Sequence, residues 1–137
     1  MVREIIHDQV RLAIKSVPAT IDDKEVVNDL LDTLRAHTNE CVGMAANMIG
    51  VNKNIIVISA GLGQFAMINP EIVSRNKPYD TEESCLSLLG GPRKCRRYDE
   101  ITVKYFDINF KEHTQKFSGW TAQIIQHELD HVAGIVI

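Results

Sequence analysis

The sequence has few cysteines, no long apolar run and no excess of positive charge, and each absence excludes a class of protein. Three cysteines among 137 residues are an odd and sparse set, which argues against a disulfide framework and predicts reduced thiols in a cytoplasm. No apolar run approaches the roughly 20 residues that a membrane helix needs, so no membrane span is expected. A formal net charge of −3 gives no basic footprint for nucleic acid.

The sequence also lacks repeats, low-complexity tracts and linker-like stretches. The N-terminal residues carry no apolar block followed by a small-residue cleavage site, so no secretory signal is expected. A chain of 137 residues that is 45% hydrophobic and 24% charged has an ordinary globular composition and is long enough to bury a core. We therefore expect a single domain over residues 1–137.

Two helices are predicted from apolar spacing. Four residues at i, i+3, i+4 and i+7 predict an amphipathic helix over residues 23–38 on the outside of the core, namely Val27, Leu30, Leu31 and Leu34. Asp22 followed by Glu25 resembles a capping box at its start. Ser118 is the expected N-cap of the last helix, and Gly134 suits its C′ position. An inward stripe at i, i+4, i+7 and i+11 is predicted for that helix, comprising Trp120, Ile124, His127 and His131.

Strands are predicted between these helices. Residues 55–58 form an unbroken apolar run, and residues 65–70 predict a second strand that Pro70 ends, with 71–74 continuing after a kink. Residues 75–84 are polar and are expected to form a loop. Alternation over residues 101–106 predicts another strand, with a return strand that ends near Phe117. The expected fold class is α+β, with antiparallel or mixed strands around the last helix.

The last predicted helix contains a His-Glu-x-x-His motif. Four residues apart, His127 and His131 lie on one helical face and can hold one metal ion. Glu128 then lies beside the open coordination position, where it can take a proton from water. Catalytic sites of this kind usually have three protein ligands. The residues alone leave the third open among the cysteines, the carboxylates and the other histidines, which are His7, His37 and His113.

Three segments together resemble the peptide deformylase family. That family has a glycine- and alanine-rich segment ending in glutamine, then Glu-Gly-Cys-Leu-Ser, then Gln-His-Glu-x-Asp-His. This chain has Gly-Met-Ala-Ala-Asn-Met-Ile-Gly at 43–50, Glu-Ser-Cys-Leu-Ser at 83–87 and Gln-His-Glu-Leu-Asp-His at 126–131. Residues 68–71, Ile-Asn-Pro-Glu, also resemble a family stretch, so the similarity covers nearly the whole chain.

The resemblance implies a metal centre. Cys85, His127 and His131 would bind one divalent ion, with Fe²⁺ as the native metal and Zn²⁺, Ni²⁺ or Co²⁺ able to replace it. Glu128 would be the general base that activates water and then the acid that protonates the leaving amine. The backbone N–H of Leu86 would donate to the oxyanion.

The resemblance also implies a substrate. The reaction would remove formate from the N-terminal formyl-methionine of new bacterial polypeptides, at the ribosome as one possible setting, by a cytoplasmic monomer or homodimer. Gly43 and its neighbours Val42 and Met44 would line the cleft and pair with the peptide as an added strand. Glu83 and Gln123 are assigned to the same cleft.

The chain departs from the family pattern at four places. Met48 replaces the glutamine whose amide helps to hold the oxyanion, and loss of one such donor typically costs about 10²–10³ in turnover. Ser84 replaces the glycine before the cysteine, and Gln123 replaces an apolar residue facing the substrate methionine. The sequence ends six residues after His131, so no further helix is expected.

These departures leave competing hypotheses. The first is an active deformylase, and the second is a relative that acts on a different N-acyl group. The third is a weakly active or non-catalytic module that binds metal or peptide. A general zinc metallopeptidase is a weaker rival, because a cysteine ligand is unusual for that class. A basic stretch is interpreted as a solvated face, with peptide contact through one arginine as the alternative, and comprises Arg93, Lys94, Arg96 and Arg97.

Overall fold

An antiparallel sheet carries one helix on each face. The computed structural model describes residues 1–38, 42–60, 63–83 and 92–135. Its strands are β1 (Gly43–Ala45), β2 (Ile55–Ala60), β3 (Gly63–Glu83), β4 (Arg93–Phe106) and β5 (Glu112–Ser118). Its helices are α1 (Gln9–Leu12), α2 (Lys24–Ala36) and α3 (Gly119–Val132). The strands pair in chain order and every pairing is antiparallel, so the predicted α+β class is confirmed.

The two faces of the sheet bury separate apolar clusters. Successive side chains of a strand point to opposite faces. In β2, Ile55 and Val57 pack with α2, whereas Ile56 and Ile58 pack with α3. All four are fully buried. Burial on both faces explains why this strand is an unbroken apolar run rather than an alternating one.

Helix α2 follows the predicted apolar stripe but begins with a different cap. Val27, Leu30 and Leu34 are fully buried, and Leu31 is half-buried. The predicted box of Asp22 and Glu25 is wrong, because Thr20 and Asp23 form it around a short 3-10 helix, Ile21–Asp23. The Asp23 carboxylate accepts from the Thr20 N–H at 2.8 Å. The helix itself covers Lys24–Ala36, inside the predicted range.

Strand β3 is much longer than predicted. It continues through Pro70, where the pairing register with β4 shifts, so the missing N–H of proline breaks no regular ladder bond. Asn69 absorbs the irregularity with a φ of +52°. Residues 75–83, predicted as a loop, pair with β4 up to Glu83. Both faces of this arm are largely exposed, so its sequence carries no apolar alternation that could reveal a strand.

Helix α3 has the predicted boundaries and one error in its stripe. Ser118 is the N-cap, and Gly134 has a φ of +81° just beyond the helix. A Cβ at Gly134 would lie 2.5 Å from the Ala13 carbonyl oxygen, so the position also needs glycine for close approach. Trp120 is 60% exposed and does not belong to the inward stripe. Within the described ranges, no helix has the length and apolarity needed to cross a membrane.

Candidate metal centre and active site

Three side chains of α3 converge on the face that packs against the sheet. His127, Glu128 and His131 are 8%, 4% and 1% exposed. Their ligand atoms all lie within 4.8 Å of one another. The Nε2 atoms of His127 and His131 face each other at 3.1 Å. The helical spacing predicted from the sequence thus brings two imidazoles and one carboxylate to one buried point.

The two imidazole nitrogens are spaced for a shared cation. Two nitrogens bound to one tetrahedral ion at about 2.0–2.1 Å lie about 3.3 Å apart, close to the separation here. Burial lowers the pKa of His131 to about 3, and the positive charge of Arg97 acts in the same direction. A neutral imidazole keeps a lone pair for a metal, and imidazole suits iron, zinc and nickel. Cys85, the expected third ligand, lies outside the described residues.

Glu83, the last residue of β3, orients His127. Its Oε1 lies 2.7 Å from His127 Nδ1. Burial alone would raise the pKa of Glu83, but hydrogen bonds from His127, Arg97 and Gln123 lower it to about 2. An ionised carboxylate only accepts, so Nδ1 carries the proton and Nε2 presents its lone pair to the site. Glu83 was assigned to the substrate cleft, whereas its carboxylate faces these three side chains.

Arg97 joins the Glu83 carboxylate to α3. Its Nη2 donates to Glu83 Oε1 at 2.7 Å, and its Nη1 donates to Asp130 Oδ2 at 2.7 Å. Arg97 is 4% exposed, so the prediction of a solvated face is wrong for this residue. The strand period explains the error, because Lys94 and Arg96 point to solvent while Arg97 points inward.

Glu128 is placed as a proton-transfer group. Burial raises its pKa to about 7, although the positive charge of Arg97 opposes the shift. Its Oε1 is buried and finds no hydrogen-bond partner in the described part of the chain. A carboxyl group with this pKa can both take and return a proton near neutral pH. The unsatisfied buried oxygen indicates chemistry rather than packing.

Gly43 brings the edge of the sheet against this carboxylate. A Cβ at Gly43 would lie 3.0 Å from Glu128 Oε2 and 2.7 Å from Ile124 Cγ2. Only glycine therefore allows β1 to approach α3 so closely. The distance places the backbone of an edge strand directly beside the proposed general base.

Strand β1 is the outer strand of the described sheet at this point. Ser59 N–H donates to the Val42 carbonyl at 2.8 Å, so the backbone groups of Val42 face β2. Antiparallel alternation then turns those of Gly43 and Ala45 away from β2. Pairing of an extended peptide with an outer strand is a recurring mode of peptide recognition. The Met44 side chain is fully buried in the α2 cluster.

Comparisons with known proteins identify the family. The model of the polypeptide deformylase family matches residues 2–137. The sequence is 54% identical over 137 residues to the peptide deformylase of Clostridium beijerinckii, with 100% of both chains covered. The chain belongs to the peptide deformylase family. A Wolbachia peptide deformylase from Brugia malayi is 42% identical over 127 residues, which cover 82% of this chain and 70% of that protein.

Solved deformylase structures agree with this fold. The peptide deformylase of Legionella pneumophila is 33% identical, with a TM-score of 0.87 over 98% of this chain and 82% of that one. The Ehrlichia chaffeensis enzyme in complex with actinonin is 32% identical, with a TM-score of 0.88 over 98% and 86%. The predicted deformylase resemblance is therefore confirmed.

Met48 stands where the family resemblance places a glutamine. It is fully buried and packs in the α2 cluster. Its Sδ accepts from the Ala45 N–H at 3.4 Å. The thioether thus serves the backbone of β1 as an acceptor, and it has no hydrogen to donate. Ser84 and Leu86, the neighbours of Cys85, lie outside the described residues.

Gln123 does not present a free amide to a substrate. Its Nε2 donates to Glu83 Oε2 at 2.9 Å, and its Oε1 accepts from the Tyr79 hydroxyl at 3.3 Å. The assignment of Gln123 to the substrate cleft stays a prediction. Both ends of the amide are used within the network around His127.

Other residues of the candidate site were not predicted from the sequence. Asn47 is 1% exposed, and its Nδ2 donates to the His131 carbonyl oxygen at 2.6 Å. Asn47 carries no local signal, because its partner is 84 residues away. Arg97 could have been found from the alternation of β4, together with a search for a counter-charge to Asp130.

Proposed function

We propose that this protein is a metal-dependent hydrolase that removes the N-formyl group from the formyl-methionine end of nascent polypeptides in the cytoplasm. The observation that carries the proposal is the buried group of His127, Glu128 and His131, with Gly43 of the outer strand packed against Glu128. It unites a metal-binding pair, a proton-transfer group and a peptide-binding edge. Membership of the deformylase family supplies the substrate class.

The proposed centre uses Cys85, His127 and His131 as ligands. Fe²⁺ is the proposed native ion, and Zn²⁺, Ni²⁺ or Co²⁺ would fit the same donors. When bound, such an ion would supply Lewis acidity to the formyl carbonyl and lower the pKa of water. Glu83 supports the assignment, because it directs the Nε2 lone pair of His127 toward His131.

The chain's own groups would then carry the proton. Glu128 takes it from the attacking water and returns it to the leaving amine, two roles that suit a pKa of about 7. The peptide would lie along β1, and the approach of β1 to Glu128 at Gly43 would set the formyl end beside this carboxyl group. The backbone N–H of Leu86 is the proposed oxyanion donor.

Met48 favours a second candidate, a deformylase-like protein that acts weakly or on another N-acyl group. Its sulfur is already bound to the Ala45 N–H and offers no donor to an oxyanion. A relative that binds metal and peptide without turnover would look the same at this position. The buried Glu128 argues against that last form, since a binding module has no evident need for such a group.

Formate release from formyl-Met-Ala-Ser tests the proposal. The protein is loaded anaerobically with Fe²⁺ or Ni²⁺, and acetyl-Met-Ala-Ser serves as the matched substrate. Turnover of the formyl peptide alone is expected, with loss of activity after chelation. Preference for the acetyl peptide would support the second candidate. No turnover of either peptide by protein with a full metal complement would exclude both enzymatic forms.

A further inference from the structure

Two side chains of β3 form hydrogen bonds with two side chains of α3, and each of these two contacts is called a rung. In the inner rung, Glu83 Oε1 lies 2.7 Å from His127 Nδ1. In the outer rung, the Tyr79 hydroxyl donates to Gln123 Oε1 at 3.3 Å. Gln123 Nε2 links the rungs by donating to Glu83 Oε2 at 2.9 Å. Both pairs are four residues apart on their own elements, so strand and helix meet twice along one line.

The orientation of the Gln123 amide follows from its partners. Both oxygens of Glu83 accept from Arg97, and the Nε2 of Gln123 donates to Oε2, so the NH₂ group of Gln123 faces this carboxylate. The Tyr79 hydroxyl then donates to the remaining oxygen. A side chain without both an acceptor and a donor could not complete this arrangement.

The Glu83 carboxylate needs donors at both oxygens to hold one orientation, because the terminal torsion of glutamate has a broad minimum. Oε1 accepts from Arg97 Nη2 at 2.7 Å as well as from His127. Oε2 accepts from Arg97 Nε at 3.0 Å and from Gln123. Without Gln123, Oε2 would lose one of the two nitrogen donors that it has among the described residues. The carboxylate could then rotate away from the line of the His127 Nδ1–H.

We infer that Gln123, held by Tyr79, is a positioning residue that fixes the Glu83 carboxylate for His127, rather than a residue that selects the substrate side chain. The inference rests on the proposed metal role of His127. It assigns to Gln123 a function that acts through the orientation of one imidazole. An apolar residue at this position would remove the Gln123 donor and leave Arg97 Nε as the described nitrogen donor to Oε2.

The chain provides a matched control for this pair. On β4 and β5, the Tyr105 hydroxyl donates to Gln115 Oε1 at 3.1 Å, which repeats the Tyr79–Gln123 contact away from α3. Gln123→Met and Gln115→Met each replace an amide by an unbranched side chain of similar length, so each removes one tyrosine acceptor. Only Gln123→Met also removes a donor to Glu83.

The experiment measures two properties of the full chain. The first is the Nδ1 proton resonance of His127 in the metal-free protein, which reports its bond to Glu83. The second is the dissociation constant for Ni²⁺ by calorimetry. Replacing an outer-shell partner typically costs 10–100-fold in affinity, and one further step along the network should cost about threefold to tenfold. Gln123→Met is expected to move the resonance upfield and weaken Ni²⁺ binding by that factor, and Gln115→Met to change neither.

The possible outcomes separate this inference from the proposed function. An unchanged resonance or an unchanged Ni²⁺ affinity in Gln123→Met would overturn the positioning role. So would a change confined to the preference between formyl-methionine and other formyl amino acids. Should Gln123→Met not fold, Tyr79→Phe at the partly exposed outer rung tests the same two shifts, with Tyr105→Phe as its control. Failure of formate release by every variant would refute the proposed function and leave the resonance measurement valid.

Discussion

The two faces of the sheet bury polar groups in different ways. Under α2, Asp29 and Thr33 are buried but bonded within the fold. Asp29 accepts from Arg3 Nη2 at 2.6 Å, and Thr33 Oγ1 accepts from the Arg3 N–H at 2.8 Å. Under α3, Glu128 Oε1 and His131 Nδ1 are buried and find no partner among the described residues.

This difference in hydrogen bonding separates groups that stabilise the fold from groups that are available for chemistry. A buried polar group that is hydrogen-bonded costs little, whereas an unpaired one costs about 1–3 kcal/mol. The α2 face carries the larger apolar cluster, and its buried Asp29 and Thr33 are hydrogen-bonded. The α3 face retains unpaired groups at the point where the sheet edge arrives at Gly43. We infer that the α2 face supplies stability that offsets the cost of the site on the other face.

The largest expected effect is on the α3 face. Glu128→Gln keeps the shape of the side chain but removes the proton-transfer group, so turnover of formyl-Met-Ala-Ser should fall about 10²–10⁴-fold. Ni²⁺ content should stay at the wild-type level, because Glu128 is not a proposed ligand. Stopped formate assays together with metal analysis measure both. A variant that retains more than a tenth of wild-type turnover would show that another group carries the proton.

A substitution on the α2 face is expected to lower the stability of the protein strongly without changing metal binding at the candidate site. Leu30 is fully buried, and Leu30→Ala should lower the free energy of unfolding by about 2–5 kcal/mol. Ni²⁺ affinity should not change. Ile125→Ala, an equally buried position on α3, should lose both stability and affinity. Urea unfolding measures the stability of both variants, and calorimetry measures their Ni²⁺ affinity. The contrast between the faces fails if Leu30→Ala weakens Ni²⁺ binding as much as Ile125→Ala.

The pH dependence of the metal-free protein sharpens the contrast. The pKa of Glu128 is raised to about 7, so the folded state holds this proton more tightly than the unfolded state. Stability from this group is therefore full below about pH 4.5 and is lost as pH rises through 7. The total is on the order of 3 kcal/mol. Urea unfolding should show that, between pH 5 and pH 8, the free energy of unfolding of Glu128→Gln rises relative to that of wild type by up to this amount. A constant difference would place the Glu128 pKa near its ordinary value.

How much the sequence could predict depends on the range of each interaction. The helical period places His127, Glu128 and His131 together without any knowledge of the fold, and the apolar stripe places α2. The hairpin arm of β3 was missed, because two exposed faces leave no periodicity. Arg97 was missed, because the carboxylates that bind it belong to a different strand and a helix.

Substitutions of Met48 are expected to change turnover the least. They test whether this residue affects the site under α3 or only the packing under α2. Its side chain packs with α2, while its sulfur serves the edge strand that approaches α3. In Met48→Gln the amide oxygen can replace the sulfur at the Ala45 N–H, and the NH₂ group adds a donor. Turnover should rise about tenfold, a part of what one oxyanion donor supplies. Met48→Leu keeps the bulk without an acceptor, so it should lose about 1–3 kcal/mol of stability and gain no turnover. Equal turnover in the two variants would show that the amide does not reach the reacting carbonyl, and that Met48 belongs to the α2 face alone.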